Sequence, residues 1–331
     1  MHKGGLNVSS IAVIDSGIDI NFKEFKNKKI KALNINTYET SIESIKDFNG
    51  HGTACASEIL RINPNADINI IKLLDENSQS TVKKLIESIE YASSIDDVRL
   101  ISLSCSTFQD KYLNDFKNVI EYANRKNKLV ICSSDNENKL SYPSYMDGVI
   151  GVKRCNTYIE KYWFNKNRNI QCVCESKYRL LPNINKNYKL FGGNSYCAAY
   201  FCGLVSMFIK GDCEIENKML IDIINKNADK NIWSVNCMDV DKYLGMETIN
   251  KKYDYYKFRI LLDSIGEFSN INIEDIGMYP IYNIVGIHNV YKFLKYLENK
   301  INQSIKYIEI TAYDLRSIYS LYNLIFKDDI K

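Results

Sequence analysis

The 331-residue sequence predicts an α/β fold in which helices flank a parallel β-sheet. The first observation is a series of short apolar runs rich in Val and Ile, which are typical of buried parallel strands. The second is that segments with helical spacing of apolar residues separate several of these runs, which favours βαβ units. The third is a near balance of charge, 43 Lys and Arg against 40 Asp and Glu, which indicates neither a nucleic-acid nor a membrane partner.

The elements follow from these patterns in chain order. Strands are predicted at residues 10–14, 66–74, 98–104, 128–132 and 148–152. Helices are predicted at 53–60, 81–92 and 116–123, and over the small and aromatic residues that follow Ser195. Residues 154–190 are polar and aromatic, so we expect loops there with short strands at best.

Composition limits the classes of protein that fit. No stretch is long and apolar enough to cross a bilayer, and the first ten residues contain no apolar signal segment. The ten cysteines follow no regular framework, so we expect reduced, buried thiols and a cytoplasmic protein. Only three histidines are present, His2, His51 and His288, so few residues can supply an imidazole base.

Three short stretches are candidates for chemistry. Asp15 follows the first predicted strand, at the edge where α/β sheets place their sites. His51 lies between Gly50 and Gly52, which favours close backbone approach to another segment. Ser195 follows two glycines at the predicted start of a helix, where the dipole favours negative charge. Considered singly, each has a structural alternative: an Asp turn, a core histidine and a helix N-cap.

Taken together, Asp15-Ser-Gly, His51-Gly-Thr and Gly193-Asn-Ser195 resemble, in order and context, the three motifs of subtilisin-like serine proteases (subtilases). Asn136 stands where that family keeps its oxyanion-hole Asn, and the similarity covers roughly residues 8–245. The resemblance implies a subtilisin-like peptidase domain over residues 1–247. Residues 248–331 are then a small C-terminal α/β domain of unknown role.

The resemblance also implies a mechanism. His51 takes the hydroxyl proton of Ser195, Asp15 holds the imidazole, and Asn136 donates to the oxyanion. We expect a serine endopeptidase that acts through an acyl-enzyme on a peptide or protein substrate, for example in processing a precursor or leader peptide. No cofactor is expected, and no metal site is assigned. Asp15 stands almost at the start of the chain, so we expect either that a signal segment and a prodomain were removed or that this is a prodomain-free intracellular member, which Met1 and the many cysteines favour.

Substrate contacts are implied for a further set of positions. They are the strand residues Ser102, Leu103 and Ser104, the acids Asp47, Asp135 and Glu137, and Asn194. The three acids together predict a mild preference for Lys or Arg in the peptide.

The sequence departs from the family pattern at several positions. Asn194 replaces Thr, Tyr196 replaces Met, Ala199 replaces Pro and Asp135 replaces Gly. These changes keep open an alternative function, a catalytically weak or inactive subtilase fold that binds peptides.

In the C-terminal segment, residues 255–262 and 304–310 are predicted as strands. One helix is indicated by Val290, Phe293, Leu294 and Leu297, and a final helix by Leu315, Ile318, Leu321, Tyr322 and Ile325. This segment either completes the core of the protease or binds a peptide or partner at a sheet edge.

Overall fold

The computed structural model describes residues 10–136, 139–209, 215–233, 253–272, 276 and 279–326. Within these ranges the chain forms two compact units. The first comprises the residues up to Ser176, then Pro182–Lys186 and the part that begins at Gly192. The second comprises Lys177–Leu181, Asn187–Phe191 and the C-terminal part. The predicted boundary between residues 247 and 248 lies outside the described residues.

An eight-stranded sheet forms the centre of the first unit, with strand order β2-β3-β1-β4-β5-β6-β8-β7. All neighbouring pairs are parallel except β7 and β8. The strands are β1 (Ser10–Asp15), β2 (Ile30–Asn34), β3 (Asp67–Lys72), β4 (Val98–Leu103), β5 (Leu129–Ser133), β6 (Val149–Cys155), β7 (Trp163–Phe164) and β8 (Cys172–Glu175). Every residue of β1, β4 and β5 is buried, as expected for strands covered on both faces.

Helices cover the two faces of this sheet. They are α1 (His51–Ile62), α2 (Val82–Ser94), α3 (Leu113–Arg125), α4 (Gly193–Phe208) and α5 (Asn217–Asn227). The apolar sides of α2 and α3 pack with alternate residues of the central strands in one core cluster. The remaining buried side chains of these strands face the other way, where α1 contacts β1 and α4 contacts β4, β5 and β6.

The sequence-based predictions for this unit are largely confirmed. The five predicted strands correspond to β1, β3, β4, β5 and β6, and the predicted helices to α1, α2, α3 and α4. The predictions did not include β2, and β7 and β8 lie in the segment expected to be mainly loops. The start of β2 is partly exposed, so its apolar pattern is weak, whereas β8 is short but fully buried.

The second unit pairs the strands β9 (Arg179–Pro182) and β10 (Tyr188–Phe191) in a two-stranded sheet. Its helices are α6 (Tyr255–Ser269), α7 (Ile281–Ile284), α8 (Val290–Ile301) and α9 (Ile318–Ile325). The predicted helices are confirmed as α8 and α9, with their marker residues buried; Leu315 lies in a short 3-10 turn ahead of α9.

Both strand predictions in this segment were wrong. Residues 255–262 belong to α6, because Leu261, Ser264 and Ile265 are buried on one helical side and the Asp254 side chain caps the start. Residues 304–310 contain a single 3-10 turn at Tyr307–Glu309 and no strand. Aromatic and β-branched content alone therefore predicted the wrong element.

No helix in the described part of the chain combines the length and apolar content needed to cross a membrane.

Candidate active site

Asp15 ends β1 at the carboxyl edge of the sheet and is 2 % exposed. Its backbone carbonyl accepts hydrogen bonds from Leu73 N (2.8 Å) and Leu74 N (3.2 Å), which continue the pairing with β3. Its Oδ1 accepts the N–H of Ser16 at 2.8 Å. The carboxylate is therefore held in place by the strand that carries it and by the first residue of the following turn.

His51 is the first residue of α1, and two glycines place it beside Asp15. Gly50 adopts φ 95° ahead of the helix, a conformation that a side chain disfavours. A Cβ on Gly52 would lie 2.4 Å from the carbonyl oxygen of Gly17, so only glycine allows α1 to start this close to β1. His51 Nδ1 then lies 2.8 Å from Oδ1 and 3.0 Å from Oδ2 of Asp15.

The buried carboxylate controls the protonation of this imidazole. Burial disfavours the charged ring, but the charge of Asp15, its hydrogen bond and a contribution from Cys55 outweigh that cost. The pKa of His51 therefore lies well above its ordinary value of 6.5. Burial also raises the pKa of the Cys55 thiol above its ordinary value.

Asp47, predicted to face the substrate, is instead buried beneath the start of α1, with 2 % exposure. Its Oδ1 accepts the N–H groups of Asn49 (2.9 Å) and Gly50 (2.8 Å). Its Oδ2 accepts the N–H (3.0 Å) and the hydroxyl (2.6 Å) of Thr53. These four donors fill the acceptor capacity of a carboxylate, so Asp47 fixes the histidine loop and the prediction of a substrate contact is corrected.

Ser195 is the third residue of α4, and Gly192 occupies the N-cap position. The alternative in which Ser195 is only an N-cap is therefore excluded. Gly193 adopts φ 84°, and its N–H donates to Ser176 Oγ at 2.7 Å. Ser195 is 8 % exposed, at the end of the helix where backbone N–H groups and the dipole favour negative charge.

The helices α1 and α4 pack against each other with their N-termini at the same end. Gly203 in α4 lies against Ile62 at the end of α1, where an added Cβ would come within 2.8 Å of Ile62 Cβ. One step further, Asn63 Nδ2 donates to Ser206 Oγ at 2.9 Å. These contacts join the C-terminal ends of both helices. His51 and Ser195, near their N-terminal ends, consequently lie at the same edge of the sheet.

Asn136 and Asn194 connect the loop after β5 to the start of α4. Asn136 is exposed, and its Oδ1 accepts the backbone N–H of Asn194 at 3.3 Å. Asn194 is 2 % exposed, and its Nδ2 donates to the carbonyl oxygens of Ser134 and Asp135, both at 2.9 Å. This engagement turns the Asn194 side chain into the protein, which corrects its predicted role as a substrate contact.

The remaining predicted positions differ in their access to solvent. Ser102 and Leu103 are 2 % and 0 % exposed, so their side chains belong to the core, whereas Ser104 is half-buried. Asp135 is half-buried, and its Oδ2 accepts the N–H of Lys139 at 3.3 Å. Glu137 lies outside the described residues. Tyr196, which replaces the Met of the family pattern, is buried and stacks on Tyr200.

Two residues near the site were missed from the sequence. Cys55 Sγ lies 3.8 Å from His51 Nδ1, and Ser176 Oγ accepts the N–H of Gly193 at 2.7 Å. The spacing of four residues between His51 and Cys55 on one helix was a usable signal. Asp15, His51 and Cys55 are also a group of potential metal ligands within the described ranges, their ligand atoms within 4.8 Å of one another. We assign no metal there, because His51 Nδ1 is hydrogen-bonded to Asp15.

The fold and these contacts define an α/β protein with a carboxylate–imidazole pair and a serine-bearing helix N-terminus at one edge of its sheet. The model of the Subtilase family matches residues 7–253, so the chain belongs to this family of serine proteases, which are hydrolases.

Similar proteins include two bacterial enzymes. The "Major intracellular serine protease" of Bacillus subtilis (strain 168) is 29 % identical over 222 residues, which cover 61 % of this chain and 68 % of that protein. The "Intracellular serine protease" of Paenibacillus polymyxa is 27 % identical over 215 residues, 60 % of this chain and 65 % of that protein. The matched segments thus span about two thirds of the length of these relatives.

A solved structure of a cold-adapted subtilisin-like serine proteinase has a TM-score of 0.57 and 16 % identity, and the match covers 71 % of this chain and 87 % of that one. The structure of Sphericase has a TM-score of 0.55 and 17 % identity, and the match covers 66 % of this chain and 83 % of that one. At this identity the likeness concerns the fold alone, and it confirms the predicted subtilisin-like α/β architecture.

Proposed function

We propose that this chain is a serine endopeptidase that hydrolyses peptide bonds through a triad of Asp15, His51 and Ser195. The observation that carries the proposal is the pair of short distances from His51 Nδ1 to the two oxygens of buried Asp15, 2.8 and 3.0 Å. A carboxylate in this position selects the tautomer in which Nδ1 carries the proton. Nε2 is then the nitrogen that can accept a proton from a nucleophile.

In the proposed reaction, Ser195 Oγ attacks the carbonyl carbon of the scissile peptide bond while His51 Nε2 takes the hydroxyl proton. The charge of Asp15 stabilises the imidazolium that forms. The tetrahedral intermediate then collapses, the C–N bond breaks, and His51 returns the proton to the leaving amine. Water attacks the resulting acyl-enzyme by the same route and regenerates Ser195.

Stabilisation of the oxyanion is proposed for Asn136 together with the backbone N–H of Ser195. The Oδ1 of Asn136 accepts the N–H of Asn194, which orients the amide so that its Nδ2 is the donor left for a ligand. Donors fixed before the reaction stabilise developing charge without reorganisation.

We further propose a cytoplasmic location and a limited processing role, such as cutting a leader from a precursor peptide. The two relatives described above are named intracellular. The eight cysteines within the described ranges are all free thiols, which fits a reducing compartment. Because Asp47 is buried and fully hydrogen-bonded, we do not extend the proposal to a preference for basic peptides.

Labelling with a fluorophosphonate probe tests the activated serine. We expect the purified full chain to be labelled, and Ser195→Ala and His51→Ala to abolish labelling while both variants keep their circular dichroism spectrum. Incubation with a peptide library, followed by mass spectrometry, then gives the cleavage sites.

The absence of labelling in a folded wild-type chain would overturn the proposal. Peptide binding without cleavage would then favour the alternative of a catalytically inactive, peptide-binding subtilase fold.

A further inference from the structure

Asn194 is held by an unusually complete set of hydrogen bonds for a residue next to the proposed nucleophile. Its Nδ2 reaches Ser134 O (2.9 Å), Ser134 Oγ (3.2 Å) and Asp135 O (2.9 Å). Its Oδ1 accepts the backbone N–H of Arg154 at 2.8 Å. The side-chain amide therefore uses both its donor and its acceptor groups inside the protein, at 2 % exposure.

These partners come from two separate segments, the loop after β5 and the strand β6. Ser134 and Asp135 belong to the loop that leaves β5 and carries Asn136, and Arg154 belongs to β6. The backbone N–H of Asn194 also donates to Asn136 Oδ1 at 3.3 Å. One residue thus joins the start of α4 to the loop of Asn136 through both its side chain and its backbone.

We propose that Asn194 is a positioning residue that fixes the Asn136 amide relative to the backbone N–H of Ser195. The two donors to the oxyanion are then held as one unit, because Asn194 is bonded to the loop of Asn136 and directly precedes Ser195 in α4. This inference rests on the proposed function, since it assigns Asn194 a task only if the two donors act on a reacting carbonyl group.

The chemistry of the contacts explains why an amide suits this position. Aspartate would bring a negative oxygen against the carbonyl oxygens of residues 134 and 135. Threonine is the residue of the family pattern at this position, but its single hydroxyl on a shorter side chain cannot bond at once to the Ser134 and Asp135 carbonyl groups and to the Arg154 N–H of this protein. Asn194→Thr therefore removes most of the connection while it leaves a polar, similarly small side chain in place.

A double-mutant cycle tests whether Asn194 acts through Asn136. The variants are Asn194→Thr, Asn136→Ala and the double variant, assayed with a fluorogenic peptide and corrected for active sites by fluorophosphonate titration. We expect Asn136→Ala to lower kcat by about 10²–10³-fold. We expect Asn194→Thr to lower kcat by about 10–100-fold with KM changed less than about threefold, because a displaced donor loses transition-state stabilisation.

The decisive quantity is the coupling between the two changes. If Asn194 acts through Asn136, the double variant has the same kcat as Asn136→Ala alone, so that Asn194→Thr has no further cost in the Asn136→Ala background. Independent effects that multiply, or an unchanged kcat in Asn194→Thr, would overturn the inference.

Asn63→Thr is a matched control for stability. Asn63 is also a buried asparagine, and its side chain donates to Ser206 Oγ at the opposite end of α4 from Ser195. We expect this variant to lower the melting temperature while kcat per active site stays unchanged. A fall in kcat like that of Asn194→Thr would assign the effect to general loosening of α4 and overturn the inference.

A measurement that needs no catalysis separates this inference from the proposed function. In selectively ¹⁵N-asparagine-labelled protein, we expect the side-chain NH₂ signals of Asn136 to shift and broaden in Asn194→Thr but not in Asn63→Thr. Unchanged signals would refute the positioning role. An unlabelled wild-type serine with changed signals would refute the proposed function and leave the connection between Asn194 and Asn136 standing.

Discussion

His51 is the residue whose environment sets the pH dependence that we expect for the proposed reaction. Only the neutral imidazole can accept the proton of Ser195, and Asp15 raises the pKa of His51 well above its ordinary value. We therefore expect kcat/KM to increase with pH and to level off only above that raised pKa. A profile already flat from mildly acidic pH upward would contradict this prediction.

Asp15→Asn tests the cause of this shift. The change removes the charge and leaves a neutral amide beside Nδ1, so the pKa of His51 falls and the acidic limb moves to lower pH. Activity itself should fall by roughly 10⁴-fold, because the wrong tautomer is stabilised. The pH dependence of fluorophosphonate labelling measures both effects, and an unmoved limb would show that Asp15 is not the source of the shift.

The same pKa has a consequence for stability. Because the pKa of His51 is raised in the folded state, the charged form stabilises the fold at pH values below the unfolded pKa. This contribution is lost as the pH rises through the folded pKa. Asp15→Asn should flatten this part of the pH–stability curve in urea unfolding experiments.

Among the secondary-structure elements, α1 depends on the Asp47 carboxylate beneath its first turn, which fixes the position of His51. Asp47 accepts four hydrogen bonds there, and in Asp47→Asn the new NH₂ group would face two of the four donors. We expect a loss of about 1–3 kcal/mol in the free energy of unfolding, as for buried donors left without partners. We also expect kcat to fall, because His51 starts the same turn.

Glu58→Gln is the control for this prediction. Glu58 is buried on the same helix, away from the first turn, and its Oε1 lies 2.8 Å from Arg61 Nη2. Both variants should unfold at lower urea concentration, whereas only Asp47→Asn should lower kcat per active site. Equal kcat values in the two variants would restrict Asp47 to a role in stability.

The packing of α1 on α4 depends on a residue without a side chain. An added Cβ at Gly203 would lie 2.8 Å from Ile62 Cβ and 3.2 Å from the carbonyl oxygen of Ile59. Gly203→Ala should therefore destabilise the fold by about 1–3 kcal/mol, although alanine favours helices. A higher urea midpoint in this variant would contradict the close packing of the two helices.

For the molecule as a whole, the sequence predicted what local patterns determine. Asp15, His51 and Ser195 were proposed as site residues because each follows a strong strand or glycine signal, and the central strands were predicted because they are apolar on both faces. The helix α6 was missed because its aromatic and β-branched residues favour strands locally, while burial of Leu261 and Ile265 depends on tertiary packing. Tertiary contacts therefore determined the helical structure of α6, although the local residue preferences favour a strand.

The finer features of the site depend on the direction in which each side chain points, and the spacing of residues along the sequence does not predict that direction. Asp47 stands four residues before His51, a spacing that does not tell whether its carboxylate faces solvent or the protein. In the structure the chain turns at Gly50, and the Gly50 N–H donates to the Asp47 carboxylate, which therefore points into the protein. Likewise, the family resemblance implied a substrate contact for Asn194, whereas its side chain bonds to the loop after β5 and to Arg154 on β6. Such long-range partners leave no periodic signal in the sequence.

The second unit is joined by the chain itself to the segment that carries Ser195. The chain passes between the units after Ser176, Leu181, Lys186 and Phe191, and the last passage directly precedes Gly192 and the start of α4. Within the second unit, Arg179 is 7 % exposed and donates to the carbonyl oxygens of Ile308 and Glu309, both at 3.0 Å. This arginine thus ties β9 to the C-terminal part of the chain.

Arg179→Met should therefore affect Ser195 through the covalent connection. The change leaves the carbonyl oxygens of Ile308 and Glu309 without their charged donor. We expect the free energy of unfolding to fall by at most about 1.5–3 kcal/mol for each hydrogen bond lost. We expect slower fluorophosphonate labelling per folded molecule, because the segment ahead of Gly192 is less firmly held. Arg259→Met is the control: Arg259 forms an exposed pair with Asp263 on α6, worth less than about 1 kcal/mol. Equal labelling rates in both variants would limit the second unit to a role independent of Ser195.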